Sequence, residues 1–197
     1  MRTNSSPSQA LRRALVVAAI LTVGLAATGA ATVTTYVADL SGPSESPPND
    51  SPGTGFAEVT HNDVAHTMYV DVVFEGLIGT VTAAHIHAPT AVPGEGTAGV
   101  ATTTPTFPGF PTGVTAGTYH ATFDLANAST YNPSFLNANG GTVEAAEAAL
   151  FASIAAGTAY FNIHTTQWTG GEIRGFLATE TVPVTETTWG ALKALFD

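Results

Sequence analysis

The stretch AAHIHAP, residues 83–89, sets two histidines on either side of one isoleucine. On a strand, side chains two apart point the same way, so His85 and His87 share a face while Ile86 turns to the other. A third histidine stands far along the chain in AYFNIHT (159–165), where Phe161 and Ile163 alternate with Tyr160, Asn162 and His164. GGEIRGF (170–176) repeats the alternation, with Ile173 one way and Glu172 and Arg174 the other. If these three strands neighbour one another, His85, His87 and His164 make the three-nitrogen set that zinc and copper favour, with a coordination position left for water or substrate. Such a centre needs second partners that fix the imidazole tautomers, and Asn162 or Glu172 is placed for that role. The plainer alternative is that the histidines hydrogen-bond backbone carbonyls and hold the 88–96 loop in place.

Arg174 is the one arginine beyond the N-terminal leader and is flanked by Gly171 and Gly175. A bidentate pair with a carboxylate is the expected role, with Glu172, Glu58 and Asp71 as candidate partners; a clamp for an anionic ligand is the alternative. His61, His66 and His120 fall at strand ends or on outward faces and read as solvated. The chain has no Gly-x-Ser-x-Gly elbow, no phosphate-cradling glycine loop and no evident Ser-His-Asp set. Any catalysis would therefore run through the metal, with Glu172 as a general base on bound water.

The elements that must position these residues are strands. TMYVDVVF (67–74) puts Met68, Val70, Val72 and Phe74 on one face, and TYHATFDL (118–125) sets Tyr119, Ala121, Phe123 and Leu125 against His120, Thr122 and Asp124. Period-two alternation rich in Val, Thr, Tyr and Phe marks half-buried strands. Further strands are expected over 33–40, 56–61, 82–87, 97–103, 158–164 and 172–178, separated by Gly/Pro-rich turns over 41–55, 88–96 and 104–113. About eight short strands in one chain of this size predict an all-β fold, an antiparallel sandwich or barrel. One segment breaks the pattern. TVEAAEAALFASIAAG (142–157) predicts a single Ala-rich helix, capped by Thr142 and stopped at Gly157, with Val143, Ala146, Leu150 and Ile154 on its inner stripe. Glu144 and Glu147 near its start suit the helix dipole.

Composition limits what this fold can do. Arg2, Arg12 and Arg13 precede an uncharged apolar run from Ala14 to Ala27, followed by the small residues Thr28 to Ala31. That order predicts a secretory signal over 1–31, cleaved near position 30, and hence an exported protein. A domain over 32–180 and a tail over 181–197 follow, the tail carrying Trp189, Leu192, Leu195 and Phe196 as a short apolar stripe. Without the leader arginines, two cations face fifteen acids, a formal charge of −13. Such a surface repels phosphate backbones and anionic lipid, so nucleic acid and anionic membrane surfaces are excluded as partners. The chain has no cysteine. Disulfides, thiolate chemistry and Cys-type metal sites are therefore ruled out, and packing, hydrogen bonding or a metal must hold the domain together.

The motifs AAHIHAP, GEGTAGVAT, GTAYFNIHT and GGEIRGFL, with FEGLIGTVTAAHIH and SPPNDSPGTGFAEVT upstream, occur in that order over about 33–178. In this the chain resembles the CHRD domain, named after chordin and widespread in secreted bacterial proteins. The resemblance implies an exported Greek-key or immunoglobulin-like β-sandwich or barrel with no settled molecular activity. The His-x-His strand is also similar to the copper-binding strand of copper–zinc superoxide dismutases, although the cysteine pair and zinc loop of that family are missing. The expectation is thus a binding or structural module of the cell envelope or matrix, with a protein or matrix partner, or a second copy joined through a strand edge. The rival is a copper- or zinc-dependent redox or hydrolytic enzyme.

Overall fold

The computed structural model describes residues 32–180. The leader expected over 1–31 and the tail over 181–197 lie outside the described residues. β1 (Val33–Ser41), β2 (Thr54–Asn62) and β3 (Thr67–Glu75) form an antiparallel meander in unbroken register, from Val33↔Asn62 to Ser41↔Thr54 and from Thr54↔Glu75 to Asn62↔Thr67. β5 (Gly117–Asp124) pairs with the outer side of β3. β4 (Val81–His87) does not follow the meander. It crosses to the far side and pairs with β6 (Tyr160–Thr165), which pairs with β7 (Ile173–Phe176), and β7 meets β1 at Ser41↔Arg174. The two-residue β8 (Ala178–Thr179) also joins β1. The result is one antiparallel eight-stranded sheet, β4-β6-β7-β1-β2-β3-β5, curled into a half-barrel.

The concave side holds the core. Met68, Val70, Val72 and Phe74 of β3 are all but sealed from solvent, as the alternation predicts, and so are Ile86, Phe161, Ile163 and Ile173. Each such side chain contributes ~1.5–3 kcal/mol on burial. Phe107 and Phe110, on the Pro-rich connection between β4 and β5, reach into the open side of the half-barrel and pack on Phe74, Tyr119, Phe123 and Phe161. A loop thus fills the gap that another strand would close.

Two short helices add to this core. α1 (Pro133–Ala138) is unexpected, although its signal is present: Asn132 accepts a hydrogen bond from the Ser134 amide at 2.8 Å and Pro133 opens the first turn. α2 (Val143–Ala155) is the predicted helix. Thr142 accepts from the Ala145 amide at 3.3 Å, and Gly157 ends the helix at φ +68. Ala146, Leu150, Phe151 and Ile154 are buried. Among the described residues no helix is long and apolar enough to cross a membrane.

Two expectations need correction. Residues 97–103 are not a strand. They run along the free edge of β4, with the Ala101 amide on the Ile86 carbonyl and the Ala88 amide on the Gly99 carbonyl. The Ile86 and Ala84 amides, however, are answered by the hydroxyls of Thr102 and Thr106, so the backbone ladder is interrupted. The strand expected over 172–178 is split at Leu177, whose amide turns to the Ala159 carbonyl.

Candidate metal centre

The β4–β6 register builds the site. It sets His87 opposite Tyr160, His85 opposite Asn162 and Ala83 opposite His164, all on the face away from the core. His164 thus lies on the diagonal from His85, and the small Ala83 leaves room for its ring. The three ring centroids are 5.3, 5.5 and 5.7 Å apart, and one nitrogen from each ring lies within 4.8 Å of the other two. The expectation that two distant segments bring these three imidazoles together holds.

The hydrogen bonds decide what the rings can do. His87 Nδ1 lies 2.9 Å from the Ala98 carbonyl, His164 Nδ1 lies 3.0 Å from the Thr169 carbonyl, and His85 Nε2 lies 2.6 Å from the Pro105 carbonyl. A carbonyl only accepts, so each of these nitrogens carries the ring proton and the other nitrogen keeps its lone pair. Those free nitrogens are His85 Nδ1, His87 Nε2 and His164 Nε2. His87 Nε2 and His164 Nε2 stand 3.3 Å apart, and with these tautomers neither has a proton to share. His85 Nδ1 is buried with no partner among the described residues. Burial drives His85 and His87 down to about 4, over the opposing pull of their carbonyl partners, and lowers His164 in the same direction. At neutral pH the three rings are uncharged, with one nitrogen of each within 4.8 Å of the other two and the lone pairs of His87 Nε2 and His164 Nε2 3.3 Å apart. That is a poor arrangement for protons and a suitable one for a borderline or soft metal cation.

The surroundings are built from loops. His85 and His87 are 6% and 8% exposed, while His164 is half-buried at the rim. Tyr160 stacks on His87 at 4.9 Å and 3°, and its hydroxyl accepts from the Ala98 amide at 3.2 Å. Arg174, 3% exposed, lies over the other side of Tyr160 at 4.7 Å. It donates through Nε to the Ser44 carbonyl at 2.5 Å and through Nη1 to the Gly96 carbonyl at 2.8 Å. Arg174 therefore ties down the 94–98 loop that presents Ala98 to His87.

Four expectations change here. Arg174 makes no bidentate carboxylate pair; its nearest acid is Glu45, at 3.8 Å, and none of Glu172, Glu58 and Asp71 is its partner. Glu45 sits in the 41–55 turn region, accepts from Asn162 Nδ2 at 2.6 Å, and is pushed up to about 7 by burial, over the counter-effects of that bond and of Arg174. Glu172 does not face the histidines. It precedes β7, outside the regular strand whose alternation would align it with Arg174. A Cβ at Gly171 would lie 2.5 Å from Glu45 Oε1. The Glu172 carboxylate takes Ser51 Oγ at 2.6 Å, Thr165 Oγ1 at 2.7 Å and the Ile78 and Gly79 amides at 2.6 and 3.0 Å. Burial raises its pKa, but these four donors outweigh burial and hold it below the carboxylate range. It pins loops together and is saturated as a base. The tautomer-fixing role foreseen for Asn162 and Glu172 falls instead to three carbonyls. Asn162 is structural, bridging Glu45 and the Ile173 carbonyl. Finally, His61 and His66 are not simply solvated, for they hold the two oxygens of Glu147 at 2.8 Å each; His120 is exposed as expected.

The model of the CHRD domain family matches residues 36–177. The chain belongs to the CHRD domain family. No curated protein and no solved structure matches it. The match takes in β1 through Leu177, so the histidines, the loops that orient them and Arg174 all lie inside the CHRD domain.

Proposed function

We propose that this CHRD domain is an exported binding module that holds one zinc or copper ion through His85 Nδ1, His87 Nε2 and His164 Nε2. The observation that carries this reading is the buried, partnerless Nδ1 of His85 within a group of three imidazoles that bring one nitrogen each to within 4.8 Å of one another. A bound cation would satisfy all three lone pairs and remove the 3.3 Å confrontation between His87 and His164. The arginine-led apolar sequence at the N-terminus supports export. The test is metal content after loading and dialysis. Wild type is expected to retain about one equivalent of zinc or copper, and His85→Ala and His164→Ala less than about a tenth. Equal retention by all three proteins would defeat the reading. N-terminal sequencing of protein recovered outside the cytoplasm is expected to start near Ala31; a start at Met1 would defeat the export half.

A second reading concerns partners. β4 has its free edge covered by residues 99–106, whereas among the described residues no backbone group pairs with the outer edge of β5 before its last residue, Asp124. An open strand of eight residues is a template for another strand. A second copy added antiparallel along β5 is the partner this favours, and light scattering over a dilution series checks it: a monomer at every concentration removes it.

A further inference from the structure

The centre has an incomplete shell, and what completes it follows from its charge and its opening. This inference rests on the metal reading above. The three donors are neutral imidazoles, so a divalent ion bound there keeps its whole double charge. The group that can converge on one ion contains His85, His87 and His164 and no carboxylate. The two buried acids of the neighbourhood are engaged elsewhere: Glu172 takes four donors, and Glu45 faces Asn162 and Arg174. Three protein nitrogens leave at least one position for a ligand from solvent. The one fixed cation among the described residues, Arg174, lies behind His87 with only the Tyr160 ring between them.

We propose that the metal-loaded centre takes a small, few-atom anion as its remaining ligand, entering past His164. Of the three residues His164 is the most exposed, while His85 and His87 are 6% and 8% exposed, which makes the His164 side the route of entry in this proposal. Because two of the three ligand residues are 6% and 8% exposed, a few-atom anion is favoured over an aromatic carboxylate or a peptide. The acidic surface of the chain does not prevent entry, because exposed charges more than ~10 Å away are largely screened at 0.1 M salt, whereas the metal charge acts at bond length. The exchange is a simple substitution: bound water leaves with its electron pair as the anion donates its own, and neither the protein nor the metal is oxidised or reduced.

Azide is the probe, benzoate the size control, and the Cu(II)-loaded full chain the sample, with copper retention checked by gel filtration after each titration. Azide is expected to bring up one new charge-transfer absorption band that saturates at one azide per copper, and benzoate to leave the spectrum unchanged at the same concentrations. Copper held at one equivalent with no response to azide overturns the anion proposal and leaves the metal site standing. An equal response to benzoate overturns the size limit and with it the proposed route. If wild type holds no copper, both readings fall. The same band in copper-treated His85→Ala would place the responding copper elsewhere and also overturn the proposal.

Discussion

Two histidine clusters occupy different parts of this domain, and they are built in opposite ways. At His85, His87 and His164 every ring proton goes to a backbone carbonyl, and the three rings cluster with no acid among them. At His61 and His66 the ring nitrogens face inward onto Glu147, His61 Nε2 on one carboxylate oxygen and His66 Nδ1 on the other, and His61 lies flat on Phe151 at 3.6 Å. The second cluster is complete as it stands: a carboxylate with two donors, clasping α2 to the β2–β3 hairpin. What separates a candidate metal centre from a structural clasp is therefore the direction of the protons rather than the number of histidines.

The comparison can be broken most directly by exchanging ligand losses. Removing a nitrogen from the first cluster, as in His85→Ala, is expected to weaken metal binding by more than ~100-fold, since even an outer partner of a ligand is worth about 10–100-fold. Calorimetric titration with zinc measures it. His61→Ala is expected to leave that affinity unchanged, and equal effects of the two variants would erase the distinction. The clasp has its own test. Glu147→Gln is expected to cost about 2 kcal/mol, the range for a hydrogen bond to a charged group, by the same amount in metal-loaded and chelator-treated protein. Urea denaturation reads both.

Arg174→Lys sharpens the contrast within the first cluster. An ammonium cannot hold the Ser44 and Gly96 carbonyls in one plane or lie flat over Tyr160. We expect a loss of about 1–2 kcal/mol in stability and about tenfold in zinc affinity through the Ala98–His87 bond. A stability loss with unchanged affinity would confine Arg174 to packing.

A further expectation concerns pH dependence. In the unfolded chain His85 and His87 take up protons as the pH falls below about 6.5, whereas in the folded domain they resist until about 4. Between those values the unfolded state binds more protons, so the metal-free protein loses stability as the pH drops from 6.5 to 4, and the loss levels off below. Glu45 acts in the other direction. Its folded value of about 7 lies above the ordinary 4.5, so between 4.5 and 7 the folded state holds the extra proton and gains stability on acidification. Three lowered histidines oppose one raised carboxyl, and the net expectation is a loss. Urea midpoints in chelator between pH 4 and 7 measure it, and a flat profile would mean that the imidazoles are more open to water than their burial implies.

Much of this was legible in the residues because it lies in side-chain periodicity. Alternation placed Met68 to Phe74 inward and His85, His87 and His164 on one outer face, and the Thr142 and Gly157 signals bounded α2 closely. The rest was illegible for physical reasons. Glu172 is two residues from Arg174, but it lies just before β7, where the period of two does not apply, and spacing alone does not register where a strand begins. Glu45 comes from a turn-rich stretch with no period to reveal its burial. Tyr160 is in phase with His164, but its spacing does not show that its ring stacks on His87. His61 and His66 took their role from Glu147, some eighty residues away, which periodicity cannot connect to them. The strand expected over 97–103 failed because threonine hydroxyls replaced backbone groups in the ladder.

The three carbonyls that orient the imidazoles belong to Ala98, Pro105 and Thr169, on three separate loops. Every amino acid carries that same group, so those positions are free to drift in identity as long as the main chain keeps its course. Across descendants of this chain, the histidines would stay fixed while the residues that aim them change almost beyond recognition.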